Sequence, residues 1–311
     1  MTNRELYIKI AHLYYTMGET QDEIAKKLNM TRQKVNRMIG ELQKLGVVTI
    51  RVNGFGDTNI ETASLIENHF ELKQVIVADT YGEKNFLPML AARAAIYLES
   101  AIKQKMNIGV SWGITLAETI KHMSYLNRSE CQVVQMVGAE NNDQKSIKSD
   151  EIARALANKL DCACKILYSP VILASPQAKK LLMAEPVIQK SFASMEGCDM
   201  AVFGIGQLNK NASLSRRHLL SELELKGLND AGYIGDICIN PIKQDGEWRG
   251  CELRNRVVSA DMNLLKKIPN VVAIAGGKDK MNAVIGCLNS GVIDTLIIDD
   301  ETAQNIVSCL A

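Results

Sequence analysis

Residues Thr20 to Met38 read T-Q-D-E-I-A-K-K-L-N-M-T-R-Q-K-V-N-R-M, and this stretch decides how the chain begins. It predicts two short helices joined by a tight turn, the second helix basic. Thr20 can cap the first helix, and Glu23, three residues on, completes a capping box. Ile24, Ala25 and Leu28 fall on one face at helical spacing. Asn29 stands where the chain must turn, and Asn tolerates left-handed backbone better than any residue but Gly. Met30 follows as a buried apolar position. Thr31 caps the next helix, whose apolar positions are Val35, Met38, Ile39 and Leu42. Arg32, Gln33, Lys34, Asn36 and Arg37 take its other faces. Such a pair can place the N-terminal end of its second helix in a DNA major groove. Arg, Gln and Asn are side chains that form bidentate bonds to base edges. Capped helical hairpins also occur in proteins that bind nothing. Here a small residue at the helix crossing, a short turn and lopsided charge coincide.

Working outward, Arg4 to Tyr15 predicts a further helix, with Ile8, Ala11 and Tyr15 on its packed side. Val47-Val48-Thr49-Ile50-Arg51-Val52 is a β-branched run between Gly46 and Gly54, the pattern of a wing with Arg51 offered to a phosphate. Up to Asn53 there are nine basic and five acidic residues, a net charge of +4, on a chain whose total is +1. A basic head on a slightly acidic body fits a head that meets phosphates and a body that does not. One small head binds weakly at physiological salt, so a dimer or larger assembly that presents paired heads is expected.

The chain has 311 residues, more than a usual single domain. The reading divides it into a winged helix-turn-helix over 1–53, a linker and connecting helix over 54–72, and a body over 73–311. No run of about 18 apolar residues occurs, and Arg4, Glu5 and Lys9 interrupt any signal-like core. No membrane partner is expected, and a cytoplasmic location is. The eight cysteines stand at 131, 162, 164, 198, 238, 251, 287 and 309, none in a C-x-x-C pair. Free thiols are expected, with no metal and no cofactor.

From Lys73 the pattern alternates strand and helix. Val75–Ala78, Met106–Val110, Val133–Val137, Met200–Gly204, Val271–Ala275 and Leu296–Ile298 read as apolar strands. Helices are expected at Leu87–Ile102, Thr115–Met123, Asp150–Leu160, Lys280–Asn289 and Glu301–Leu310. Continuously apolar strands spaced by helices predict an α/β body with a mainly parallel, helix-covered sheet.

Ligands of such sheets bind at the carboxyl ends of strands. Four strand ends carry glycine there: Gly109-Val110-Ser111-Trp112-Gly113-Ile114-Thr115, Val137-Gly138-Ala139, Gly204-Ile205-Gly206 with Gln207, and Gly276-Gly277-Lys278-Asp279-Lys280. The first runs from strand into helix, where backbone N–H groups favour an anion and Ser111 and Thr115 add hydroxyls. In the last, Gly276-Gly277 allows close backbone approach and Lys280 brings a positive charge. Asp236, in Gly232-Tyr233-Ile234-Gly235-Asp236-Ile237, is either a turn aspartate or an acceptor for sugar hydroxyls. Gly109-x-Ser111-x-Gly113 also spells a hydrolase nucleophile elbow. It lacks a suitable histidine, because His122 sits on the next helix and His218 in a polar loop.

The succession of a winged head, G-V-S-W-G-I-T-L, V-F-G-I-G, G-D-I, A-G-G-K-D-K-M-N-A-V-I and D-T-L-I-I-D-D-E-T-A resembles the SorC/DeoR-type sugar-responsive transcriptional regulators from about Leu6 to Leu310. The resemblance implies a body folded like ribose-5-phosphate isomerase and glucosamine-6-phosphate deaminase. It implies operator DNA and a phosphorylated sugar or related metabolite as partners. It assigns a phosphate cradle to Ser111, Trp112, Gly113 and Thr115, with Lys280 after Gly276 and Gly277 as the phosphate's cation. Asp236 is the acid that meets sugar hydroxyls, and Gly138, Gly206 and Gln207 line the same cleft. Thr31, Arg32, Gln33, Lys34, Asn36, Arg37 and Arg51 are the DNA-binding candidates. The chain departs from the family at Gly138-Ala139-Glu140 and Lys148-Ser149-Asp150-Glu151, so effector identity is not inherited. The rival expectation is a sugar-phosphate isomerase or deaminase carrying a DNA-binding head.

Overall fold

The computed structural model describes residues 3–42, 44–48, 57–83, 85–139, 148–209, 214 and 219–310. The chain divides into two compact units, Met1–Asp57 and Thr58–Ala311.

In the first unit, α1 (Asn3–Ala11) continues into a π-helical turn at His12–Thr16, followed by α2 (Gln21–Leu28) and α3 (Arg32–Glu41). Both halves of the Thr20–Glu23 capping box form. Asn29 ends α2 in left-handed backbone at φ 52°, and the Thr31 hydroxyl accepts from Lys34 N–H at 3.3 Å to start α3. Ile10, Ile24, Ala25, Val35 and Met38 form the core, with Met30 half-buried against it. The packed side of α1 differs from expectation: Ile8 is 52% exposed and Tyr15 45%, whereas Ile10 is fully buried. The π-turn at His12–Thr16 shifts the side-chain register after Ala11 and so accounts for Tyr15, whereas Ile8 and Ile10 precede it in regular helix that turns Ile10 inward. Past α3, the N–H groups of Val47 and Val48 both donate to Leu42 O, at 3.0 and 3.3 Å. The rest of the expected wing, with Arg51, lies outside the described residues.

The second unit begins with α4 (Asp57–Phe70), the expected connecting helix. It belongs to the body: Ile66 is in the body core, and Glu67 Oε1 accepts from Val75 N–H at 2.6 Å on the first strand. The strands are β1 (Gln74–Ala78), β2 (Asn107–Val110), β3 (Gln132–Gln135), β4 (Ala163–Lys165), β5 (Met200–Gly204), β6 (Gly206–Gln207), β7 (Tyr233–Ile237), β8 (Asn240–Lys243), β9 (Asn270–Ala275) and β10 (Thr295–Asp299). Seven form one sheet in the order β1-β10-β9-β5-β2-β3-β4, every pair parallel. Its helices include α5 (Leu87–Ala101), α6 (Ile114–His122), α7 (Ser149–Leu160), α8 (Pro176–Met183), α9 (Pro186–Glu196), α10 (Glu222–Asp230), α11 (Met262–Leu265), α12 (Met281–Asn289) and α13 (Asp300–Leu310). Strands such as β10, buried at all five residues, explain the continuous apolar runs.

The strand order fixes where a ligand can bind. From β2 the chain winds outward through β3 to β4, whereas β5, β9 and β10 follow one another in the opposite direction. The direction reverses between β2 and β5, and the crevice outside their carboxyl ends is the site expected of an open parallel sheet. A second, antiparallel sheet, β6-β7-β8, stands at that point, because β6 starts two residues after β5 ends.

Candidate functional sites

On the head, Thr31, Arg32, Gln33, Lys34, Asn36 and Arg37 are all exposed. Arg32 lies 3.6 Å from Asp22 and Arg37 3.9 Å from Glu41, both as solvent-exposed pairs. Gln21 Nε2 donates to Asn36 Oδ1 at 3.2 Å. Surface pairs of this kind are worth about 0–1 kcal/mol and release their side chains readily to a stronger partner. The first turn of α3 holds no acidic residue, so its positive dipole end is left for phosphates.

In the body, the residues after β2 form the rim of the crevice. Ser111 N–H still pairs with Val202 O of β5 at 3.1 Å, and Trp112 N–H donates to Ser111 Oγ. Gly113 starts α6 at φ 133°, backbone that a side chain would strain, and no side chain caps the helix. Its first turn includes the half-buried Thr115, and uncapped N–H groups there favour an anion.

Opposite stands Asp236 on β7, only 4% exposed. It pairs with Gly206 across the ladder, and a Cβ on Gly206 would fall 1.9 Å from Asp236 Oδ1. Glycine is therefore required for the carboxyl to lie over β6. Burial raises the Asp236 carboxyl to about 6, against the Ile239 N–H and the nearby Lys280, which pull it down. Lys280 Nζ donates to Ile205 O at 3.1 Å, and Gln207 Nε2 donates to Asp279 O, so the 278–280 turn is laced to the β5–β6 junction. The Cys238 thiol lies near the Ser111 hydroxyl, and burial pushes that thiol up to about 12 against the lowering influence of Ser111. Through Cys238 the rim at Ser111 and the Asp236–Gly206–Lys280 group become one site.

The other candidate glycines have different surroundings. Gly138 N–H donates to Val258 O at 3.0 Å, and a Cβ there would meet Ser169 O at 2.8 Å. Gly276 is crowded by Asp299, Leu90 and Phe86, and Gly277 N–H donates to Asp299 Oδ2 at 2.9 Å. These glycines allow close packing, and the N–H groups of Gly138 and Gly277 are already bonded.

The sequence reading missed the hairpin tip. Cys238 and Ile239 form a two-residue turn between β7 and β8 with both φ values left-handed, 50° and 59°. Each such residue costs about 1–2 kcal/mol unless Gly occupies it. Side-chain hydrogen bonds hold the tip. Asp236 Oδ2 accepts from Ile239 N–H at 3.0 Å. Asn240 Nδ2 donates to Ile237 O at 2.9 Å and to Ala260 O at 2.9 Å. Ser259 Oγ donates to Cys238 O at 2.7 Å.

A cavity of about 710 Å³ opens elsewhere, beside α10, over Leu220, Leu228, Tyr233 and Leu253. Of its three charged residues, Glu224, Glu252 and Arg256, the first and last are bound to each other, and none of Ser111, Asp236 or Lys280 lines it. His122 bonds its own helix at Glu118 O, 2.9 Å away, and His218 lies outside the described residues. Among the described residues no group of three or more His, Cys, Asp or Glu could hold a metal ion, and no helix is long and apolar enough to cross a membrane.

A capped helix pair with a bare basic second helix, joined in one chain to a parallel sheet with a built crevice, defines a DNA-binding regulator with a ligand-binding body. Comparison with known proteins agrees. Residues 18–49 match the winged helix-turn-helix DNA-binding family, and residues 56–308 match the Sugar-bind family of sugar-binding domains. The chain belongs to that sugar-binding family, in the SorC/DeoR type of transcriptional regulators. It is 27% identical over 306 residues to the transcriptional regulator YjhU of Escherichia coli strain K12, covering 96% of this chain and 92% of that one. It is 26% identical over 310 residues to the deoxyribonucleoside regulator of Bacillus subtilis strain 168, covering 99% and 98%. The full-length sorbitol operon regulator SorC from Klebsiella pneumoniae shares the fold, with a TM-score of 0.76 at 22% identity, covering 98% and 99%.

Proposed function

We propose that the chain regulates a carbohydrate-utilisation operon, and that a phosphorylated sugar bound at the β2–β5 crevice sets its affinity for operator DNA. The observation that carries this reading is the pairing of an uncapped helix start at Gly113 with Asp236 and Lys280 across one crevice. The first suits a phosphate and the carboxyl suits hydroxyls. Ser111, Trp112, Gly113 and Thr115 cradle the phosphate, Lys280 supplies the cation, and Gly206 and Gln207 form the wall. Gly138, Gly276 and Gly277 support that wall through packing. Arg32, Gln33, Asn36 and Arg37 face bases, whereas Thr31, Lys34 and Arg51 face phosphates.

The chain acts without turnover, because proton transfer on a sugar needs a positioned acid and base, and Asp236 has no histidine beside it among the described residues. It works in the cytoplasm as a homo-dimer or homo-tetramer, because two heads on adjacent half-sites multiply a weak single-head affinity. The test is a panel of sugar monophosphates screened for thermal stabilisation, with product formation followed in parallel. Stabilisation without product is expected, and turnover would establish the isomerase or deaminase alternative. On DNA, Lys34→Ala is expected to weaken binding evenly and lower the salt slope by about one, whereas Arg32→Ala relaxes sequence preference. No effect from either variant would remove α3 from the interface.

A further inference from the structure

The crevice's own residues do not explain why the chain bends so sharply beneath them. Cys238 and Ile239 are both left-handed, one of them β-branched, and neither is Gly or Asn. A two-residue hairpin loop with φ positive at both positions ordinarily takes Asn-Gly or Asp-Gly. Strain of this kind persists only where the surroundings over-determine it. Here they do. Ile239 is fully buried, and Asn240 Nδ2 reaches three carbonyls, Ile237 O at 2.9 Å, Cys238 O at 3.2 Å and Ala260 O at 2.9 Å. Ser259 Oγ takes Cys238 O from the other side at 2.7 Å.

The geometry points to Asn240 and Ser259 as positioning residues for effector recognition: by clamping the Cys238–Ile239 turn in its left-handed form, they hold the Asp236 carboxyl over Gly206 and the Cys238 thiol against Ser111. This rests on the reading of the crevice as the effector site. The chain of contacts is short. The left-handed turn brings Ile239 N–H back to Asp236 Oδ2, the bond that orients the carboxyl. It also carries Cys238 to the Ser111 hydroxyl on the β2 rim. Relaxing the turn would withdraw both groups and leave the phosphate end of the crevice, built on α6, as it is.

The clamp is anchored outside the hairpin. Ser259 bridges to Val137, two residues beyond β3, Gly138 N–H donates to Val258 O, and Val258 N–H donates to Val171 O. The groups packed around Asp236 are Lys280 before α12, Cys287 on α12, and Cys238 and the Ile239 N–H on its own hairpin. Of these only Lys280 is a cation near neutral pH, so the carboxyl's protonation reports on how well the turn keeps it dry.

The experiment uses the full-length chain with Ser259→Ala, Asn240→Ala and Ser259→Thr, the last retaining the hydroxyl. Two quantities are read: the titration of the Asp236 carboxyl carbon by NMR, and the affinities for inorganic phosphate and ribose 5-phosphate. In Ser259→Ala and Asn240→Ala the Asp236 midpoint is expected to fall by about one unit or more, because entering water relieves burial, the largest cause of its elevation, by more than loss of the Ile239 N–H raises it. Affinity for inorganic phosphate stays within about twofold, and any preference for ribose 5-phosphate over phosphate drops about tenfold. Ser259→Thr restores the parent titration. An Asp236 midpoint unchanged in folded Ser259→Ala overturns the proposal, even if Asn240→Ala fails to fold. Parent protein that binds neither phosphate nor ribose 5-phosphate counts against the cradle, whereas the titration still decides the clamp.

Discussion

The head and the crevice solve opposite problems. On the head the functional side chains are exposed, loosely paired and free to rearrange, over a small core of Ile10, Ile24, Ala25, Val35 and Met38. At the crevice Ser111 and Asp236 are buried, Thr115, Gln207 and Lys280 are half-buried, and the Asp236 carboxyl lies over Gly206 with little room to move. DNA supplies its own field of phosphates, so the head needs only a correctly presented helix. A small polar ligand must be told from its relatives by a few contacts, so the crevice must be built before the ligand arrives.

The largest expected effect tests how separate the two regions are. Ile24→Ala removes a fully buried side chain from the small head core, which costs about 2–5 kcal/mol. The head should unfold and DNA binding vanish, while sugar-phosphate binding by the body is retained. Calorimetry of the variant should show the body's transition unmoved. A single transition lowered as a whole would mean the two units fold together.

Glycine substitutions sharpen the contrast at intermediate size. At Gly206→Ala the new methyl would sit 1.9 Å from Asp236 Oδ1, so either the carboxyl leaves or β6 separates from β7. A destabilisation of about 1–3 kcal/mol and a loss of sugar-phosphate affinity of about 100-fold are expected from denaturation and titration calorimetry. The same substitution on the head, Gly40→Ala in α3, meets nothing within 4 Å. There it should raise the head's stability by about 0.5–1 kcal/mol, the smallest effect of the series.

Between them lies Asp236→Asn. The folded chain holds a proton on Asp236 up to about 6, whereas the unfolded chain releases it near 3.8. The folded state therefore binds more protons between those values, so this group's contribution to stability falls as pH rises from about 4 to about 6 and is level above. Asparagine removes that slope and should raise stability at pH 7 by up to about 3 kcal/mol, the upper bound set by the shift. It should also weaken sugar-phosphate binding. Stability measured against pH for both proteins checks the sign.

The same contrast explains what was legible in the sequence. The head's signals are local: Thr20 acts on Glu23 and Thr31 on Lys34, each three residues on, Asn29 turns its own backbone, and each forms as read. The parallel strands were legible because burial on both faces makes them continuously apolar, and Ser111, Gly206, Asp236 and Lys280 stood out as glycine-rich strand ends. The π-turn after Ala11 was not, because nothing in H-L-Y-Y-T departs from an ordinary helical pattern. The β7–β8 hairpin was missed because Cys-Ile carries none of the Gly or Asn chemistry that marks such a turn. Its conformation comes from Asn240 and Ser259, the latter 21 residues from the carbonyl it holds. Gly138, Gly276 and Gly277 look like ligand-facing glycines along the chain, and only their neighbours Ser169, Phe86 and Asp299 reveal a packing role.

The central claim is that crevice occupancy sets operator affinity. The most direct measurement is the affinity of the full-length chain for DNA from upstream of its operon, with and without each sugar monophosphate of the panel, in parent protein and in Asp236→Asn. The account predicts that at least one sugar monophosphate shifts the parent's DNA affinity tenfold or more, a coupling of about 1.4 kcal/mol, and that Asp236→Asn abolishes the shift while binding DNA normally. A parent protein indifferent to every sugar phosphate, or a shift that survives intact in Asp236→Asn, would contradict it.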